Sequence, residues 1–116
     1  MTSVQRVLVV EDEPLIAMML EDFLEILGKL AVATVDSVAT ALAALDAQEV
    51  DVAILDVHLR GGEKSTVVAE ALAAKNIPFI FASGGDGDGV DDRFRDRPRL
   101  QKPFTMDGVE RALAAL

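Results

Sequence analysis

Four stretches of this chain are dominated by apolar residues, Arg6–Val10, Leu30–Val35, Val52–Asp56 and Phe79–Ala82, and a short fifth strand is expected around Leu100. The β-branched run Arg6–Val10 predicts a buried strand, and the uninterrupted run ending in Asp56 one buried on both faces. The segments between them follow a different period. From Pro14 to Leu27, the residues Leu15, Ile16, Met19, Leu20, Phe23 and Leu27 recur at spacings of three and four, while Glu21, Asp22 and Glu25 take the other side. That pattern predicts an amphipathic helix, with Pro14 suited to its first turn and Gly28 to its end. A second helix is expected after Asp36 or Ser37 as N-cap, with Val38, Ala41, Leu42 and Leu45 facing the core. A third fits Ser65 to Lys75, burying Val67, Val68, Ala71 and Leu72, and Asn76-Ile77-Pro78 reads as the turn that follows. The last helix begins at Thr105, a good N-cap, with Phe104 and Val109 placed as a hydrophobic staple.

Strand and helix therefore alternate, which predicts an α/β fold: a doubly wound parallel sheet with helices on both faces. One unit is irregular. Between Ser83 and Pro98, Gly84, Gly85, Gly87 and Gly89 are interleaved with Asp86 and Asp88. Each glycine costs a helix interior roughly 1 kcal/mol relative to alanine. Val90 and Phe94 alone offer apolar anchors at helical spacing, so a helix here is expected to be weak or absent, with at most one turn from Val90 to Phe94. The alternating Arg93, Arg95, Arg97 and Arg99 read as counter-charges for the aspartates of the same segment.

The polar residues of interest sit at strand ends. Strand 1 stops in Glu11-Asp12-Glu13, and strand 3 delivers Asp56 just before the Gly61-Gly62 loop. In open α/β sheets, chemistry collects outside the carboxyl ends of the strands, and strands 1 and 3 of a doubly wound sheet meet at its switch point. Glu11, Asp12 and Asp56 are thus expected to share one crevice. Like charges held that close need neutralising, and an oxygen-only cluster without His or Cys suits Mg²⁺. Ser83 ends strand 4 and Lys102 follows strand 5, bringing a hydroxyl and an ammonium to the same rim.

Composition narrows the function. At 116 residues, a single domain, residues 1–116, is expected, without an output domain. A net charge of -9 argues against nucleic acid and against an anionic membrane surface. No apolar run approaches the roughly 18 residues of a membrane span. The N-terminus lacks the order of a secretory signal, and the absence of cysteine fits a reducing cytoplasm.

Val10-Glu11-Asp12-Glu13-Pro14, the strand-terminal Asp56, Ser83 after an apolar strand and Lys102-Pro103-Phe104 together resemble the response-regulator receiver domain of two-component signalling, along the whole chain. The resemblance implies a flavodoxin-like five-stranded sheet in the order 2-1-3-4-5. It implies a phosphoacceptor role for Asp56, direct Mg²⁺ ligation by Asp12 and Asp56, water-mediated help from Glu11, and a further ligand in the backbone carbonyl of His58. Ser83 would then bond the phosphoryl group and Lys102 would pair with Asp56 or a phosphoryl oxygen, across a cis Lys102-Pro103 bond. The implied partners are a sensor histidine kinase or histidine phosphotransfer protein and a downstream protein; the protein would be a monomer that catalyses only its own phosphorylation and dephosphorylation, signalling by binding or acting as a phosphate sink.

Taken singly, these residues have plainer readings. Acids before a helix favour its dipole, Asp56 can cap a turn, and Ser83 and Lys102 can be ordinary solvated residues. Together, at four strand ends in order, they point to the receiver. A nucleotide-binding module would need a glycine loop after strand 1, where three acids stand. A haloacid-dehalogenase-like phosphatase would need a second aspartate at position 58, which is histidine. A degenerate receiver that only binds protein would not need the acids, Ser83 and Lys102 intact. Two departures from the common pattern stand out. Arg99 occupies the place of the usual switch aromatic, so an aromatic swing there is ruled out. Phe81-Ala82-Ser83-Gly84 resembles the Phe-Ala-Thr-Gly motif of a subgroup linked to HWE-type histidine kinases.

Overall fold

The five expected strands form one parallel sheet in the computed structural model, which describes residues 4–57, 59, 63–83, 94, 97–101 and 104–116, the side chains of Ser83 and Gln101 excepted. The strands are β1 Arg6–Val10, β2 Leu30–Val35, β3 Val52–Asp56, β4 Phe79–Ser83 and β5 Arg99–Gln101, in the order β2-β1-β3-β4-β5. Every neighbouring pair is parallel. Four helices lie among the described residues: α1 Pro14–Ile26, α2 Val38–Ala47, α3 Thr66–Ala74 and α4 Met106–Ala114.

Alternation along each strand splits the interior into two cores. Leu8, Val10, Ala53, Leu55, Phe79 and Phe81 point to one face, where they meet Ala41, Ala44 and Leu45 of α2 and Val68, Ala69 and Leu72 of α3. Val7, Val9, Val52, Ile54, Ile80 and Ala82 point to the other, against Leu20 and Leu24 of α1 and Val109, Ala112 and Leu113 of α4. Burial on both sides is why these strands read as continuous apolar runs instead of alternating ones.

The helix ends follow their sequence signals. Gly28 adopts φ +77°, and the N–H groups of Gly28 and Lys29 donate to the carbonyls of Glu25 and Leu24 at 3.0 and 2.8 Å, the paired bonds of a left-handed C-terminal cap. Asn76, at φ +58°, closes α3 in the same way, with Ile77 N–H reaching Leu72 O at 2.9 Å. Ser37 is the cap of α2: its hydroxyl accepts from Thr40 N–H while Ser37 N–H donates to Thr40 Oγ1. Thr105 Oγ1 accepts from Gly108 N–H at 3.0 Å, and Phe104 and Val109 are buried in one cluster, as the staple requires.

Two expected faces are corrected. Leu15 is 80 % exposed, and the buried residues of α1 are Ala17, Leu20 and Leu24. Leu15 precedes Leu20 by five residues, about 140° around a helix, so the two cannot share a face. Val67 fails for the same reason: it stands five residues before the buried Leu72 and is 50 % exposed, while Val68 and Ala69 pack on the sheet. The expected weakness of a helix between β4 and β5 concerns residues 84–93, which lie outside the described ones. The apolar anchor expected at its end is present: Phe94 is buried with its ring edge-on to that of Phe79, centroids 5.5 Å apart. Arg97 stacks over the Phe79 ring at 4.5 Å, an aromatic partner where only counter-charges were expected.

At the amino end of the sheet, Arg6 clips β1 to the start of β3. Its backbone N–H and Nε donate to Asp51 Oδ2 at 2.7 and 3.1 Å, its Nη2 to Oδ1 at 3.1 Å, and its Nη1 to Glu49 at 2.5 Å. The hydrogen bonds from the Arg6 side chain, then its backbone, hold the Asp51 carboxyl below its ordinary range.

Leu24→Ala should cost about 2 to 5 kcal/mol in urea unfolding and Leu15→Ala less than about 0.5 kcal/mol; similar costs for both would contradict the assigned face. The Asp51 pKa is depressed on folding, so its contribution is present above the unfolded value of about 3.9 and is lost as pH falls through the folded one. Asp51→Asn should therefore be less stable than wild type at neutral pH, with the gap in unfolding midpoint closing towards pH 3; a gap of constant size would show that ionisation of Asp51 is not its source.

Candidate functional site

Strand register assembles the site. Val10 pairs with Leu55, so the next residues along, Glu11 and Asp56, emerge side by side from the carboxyl ends of β1 and β3. The Glu11 N–H still bonds Val35 O of β2 at 2.9 Å, which keeps Glu11 within the sheet, and the chain turns only at Asp12. Glu11 Oε2 accepts from the N–H of Glu13 at 3.1 Å and so fixes the turn that leads into α1. Carboxylate oxygens of Glu11, Asp12 and Asp56 lie within 4.8 Å of one another.

These acids are not solvated surface groups. Glu11 is 3 % and Asp56 7 % exposed, while Asp12 is half-buried. Two unit charges at such a separation repel by about 1 kcal/mol even in water and by more in a partly buried crevice. A set of hard oxygen donors without nitrogen or sulfur matches the preferences of Mg²⁺. From Glu11 and Asp12 the crevice runs on towards β2 and α2, a volume of about 300 Å³ also lined by Thr34, Val35, Asp36 and Thr40. A larger open cleft of about 540 Å³ surrounds Arg6, Glu49 and Lys75 at the other end of the sheet, where the charges of Arg6 and Glu49 are already paired.

The structure thus brings together three of the expected site residues, Glu11, Asp12 and Asp56. Ser83 follows Ala82, the register partner of Asp56, and pairs with Gln101, so its backbone and the exit of β5 stand at the same sheet end. The side chain of Ser83 and the residues His58, Lys102 and Pro103 lie outside the described ones. Two further residues border the site. Asp36, which the sequence offers as an alternative cap for α2, lines the crevice while Ser37 does the capping. Ser65 is buried and its N–H donates to the carbonyl of Val57, the residue after Asp56; a serine before a helix reads as an ordinary cap, and nothing in the sequence separates the two.

A doubly wound sheet in this order, with acids converging at the switch between β1 and β3, is the flavodoxin-like architecture of CheY-like receiver domains. The chain belongs to the response regulator receiver domain family, whose model matches residues 7–94. Among solved structures it is similar to SdrG from Sphingomonas melonis Fr1, at 70 % identity over 99 % of this chain and 98 % of that one, with a TM-score of 0.89. A BeF3-activated conformation of SdrG, from Pseudomonas melonis Fr1, matches with the same identity and coverage and a TM-score of 0.84. The response regulator PhyR from Brucella abortus is 29 % identical over 97 % of this chain and 47 % of its own, with a TM-score of 0.82. No curated protein matches the chain significantly. Among the described residues, no helix is long and apolar enough to cross a membrane.

If the three acids hold a divalent cation, Mg²⁺ at 100 times its Kd should raise the unfolding free energy by about 2.7 kcal/mol. Asp12→Ala removes one of the converging carboxylates and should abolish the rise. Equal rises in wild type and Asp12→Ala, followed by urea unfolding with and without Mg²⁺, would refute the cluster as the binding site.

Proposed function

We propose that this domain is a stand-alone receiver that takes a phosphoryl group from the phosphohistidine of a sensor kinase or phosphotransfer protein onto Asp56. The observation that carries the reading is the convergence of Glu11, Asp12 and Asp56 at a buried strand end. A degenerate receiver used only for protein binding would gain nothing from that convergence, which costs folding free energy.

Asp56 acts in its ionised form. One carboxylate oxygen attacks phosphorus, the bond from phosphorus to the donor's imidazole nitrogen breaks, and the nitrogen keeps the electron pair; no general base is needed. The approach of two anions is the obstacle. Asp12 and Asp56, with Glu11 and the backbone carbonyl of His58, would hold Mg²⁺, which would supply charge neutralisation as the two anions approach. Ser83 donates a hydrogen bond to the transferred group, and the Lys102 ammonium pairs with it or with Asp56. The aspartyl phosphate later hydrolyses in the same site. The resemblance of Phe81-Ala82-Ser83-Gly84 to the Phe-Ala-Thr-Gly motif supports a kinase of the HWE type. The 70 % identity to SdrG, which has a BeF3-activated conformation, supports an acceptor carboxylate, since a beryllium fluoride on a carboxylate imitates an acyl phosphate. Output is by contact with another protein, or by draining phosphate from a shared kinase, as a cytoplasmic monomer.

Incubation with acetyl phosphate and Mg²⁺ should add one phosphoryl group by intact mass. Asp56→Ala should lose the adduct entirely. A full adduct on Asp56→Ala would overturn the assignment of the acceptor.

A further inference from the structure

Three polar or charged side chains are fully buried among the described residues: Glu11, Asp56 and Ser65. The first two belong to the acidic cluster. Ser65, 1 % exposed, does not, and burying a hydroxyl carries a cost unless it is hydrogen-bonded.

Its position suggests a cap, but it does not act as one. Ser65 immediately precedes α3, where a serine normally accepts from an N–H of the first turn; here it makes no such bond. The hydroxyl points the other way. Ser65 Oγ donates to Val57 O at 3.4 Å and Ser65 N–H donates to the same oxygen at 3.2 Å. Val57 is the residue after Asp56, and its own N–H donates to Ala82 O of β4 at 3.2 Å. Both peptide groups of Val57 are therefore committed, one to the neighbouring strand and one to Ser65. Farther along the loop, Leu59 N–H donates to Glu63 O at 2.7 Å.

We infer that Ser65 is a positioning residue for the acceptor: by holding the Val57 carbonyl out of the acidic crevice, it fixes the direction in which the backbone leaves Asp56. This rests on the reading of Asp56 as the phosphoacceptor. In-line transfer demands close placement of the attacking oxygen, and small misplacements cost rate out of proportion to their cost in stability. Alanine at 65 would keep the N–H bond to Val57 O and lose the hydroxyl, so the loop would still close but with one restraint fewer.

The test compares Ser65→Ala, Ser65→Thr, which keeps the hydroxyl, and Val50→Ala, which trims the core away from the crevice. Phosphorylation by acetyl phosphate is followed by intact mass at saturating Mg²⁺ and donor, well below each unfolding midpoint. Ser65→Ala should lower the maximal rate about tenfold, whereas Val50→Ala, at an equal or greater loss of thermal midpoint, should stay within twofold. Ser65→Thr, if it folds, should recover most of the rate. A Ser65→Ala rate within twofold of wild type would overturn the inference, as would rate losses in Ser65→Ala and Val50→Ala that simply track their stabilities. Absence of phosphorylation in wild type itself would instead overturn the acceptor reading, and this inference with it.

Discussion

The register between β1 and β3 is the constraint on which the rest of the molecule depends. Parallel pairing of Val10 with Leu55 makes Glu11 and Asp56 neighbours whatever else the chain does, and a slip by one residue would turn the strands' core side chains to the opposite faces. Such a slip is prevented from both sides. Val7 and Val9 are locked into the core beneath α1 and α4, and Leu8 and Val10 into the core beneath α2 and α3. The two cores thus do more than stabilise the sheet: they fix a phase, and that phase sets the distance between acids at the strand ends. The electrostatic cost of the site is borne by apolar packing elsewhere.

Charge is distributed to match. With a net charge of -9, the chain has few cations to spend, and the described ones with assigned partners lie away from the crevice. Arg6 closes the amino end of the sheet with Asp51 and Glu49, and Arg97 lies on the Phe79 ring. The carboxyl end of β1 and β3 keeps its acids together, with Asp36 added from the end of β2. Such a concentration of one sign in a concave, partly buried space makes the local potential more negative, an environment compatible with a cation of high charge density.

β1 and β3 were legible in the sequence because burial on both faces writes itself as a continuous apolar run, and both have the bounds that those runs predict; β2, at the sheet edge, has its expected bounds without such burial. Helix phase was less legible. In α1, apolar residues occupy every position from Leu15 to Leu20, so more than one stripe satisfies a period of three and four, and only contact with the sheet selects Ala17, Leu20 and Leu24. In α3, the choice between Val67 and Val68 is of the same kind. Glu11, Asp12 and Asp56 could be found because acids at apolar strand ends are conspicuous. Asp36 and Ser65 could not, because each stands before a helix, where such residues are commonplace as caps.

The surroundings of Asp56 show why a site spread over separate strand ends can still be geometrically defined. Asp56 is in register with Ala82, and the residue after it remains bonded to the same strand, so pairing continues one step past the carboxylate before the loop begins. Loops are where a fold opens most readily, yet this one is tied back through Ser65 to Val57 and through the Glu63 carboxylate to the N–H of Val38 at the start of α2. A carboxylate suits that helix end, where the N–H groups are directed outward. Glu63 and Ser65 thus link the strand of Asp56 to the helix whose first turn borders the acidic crevice.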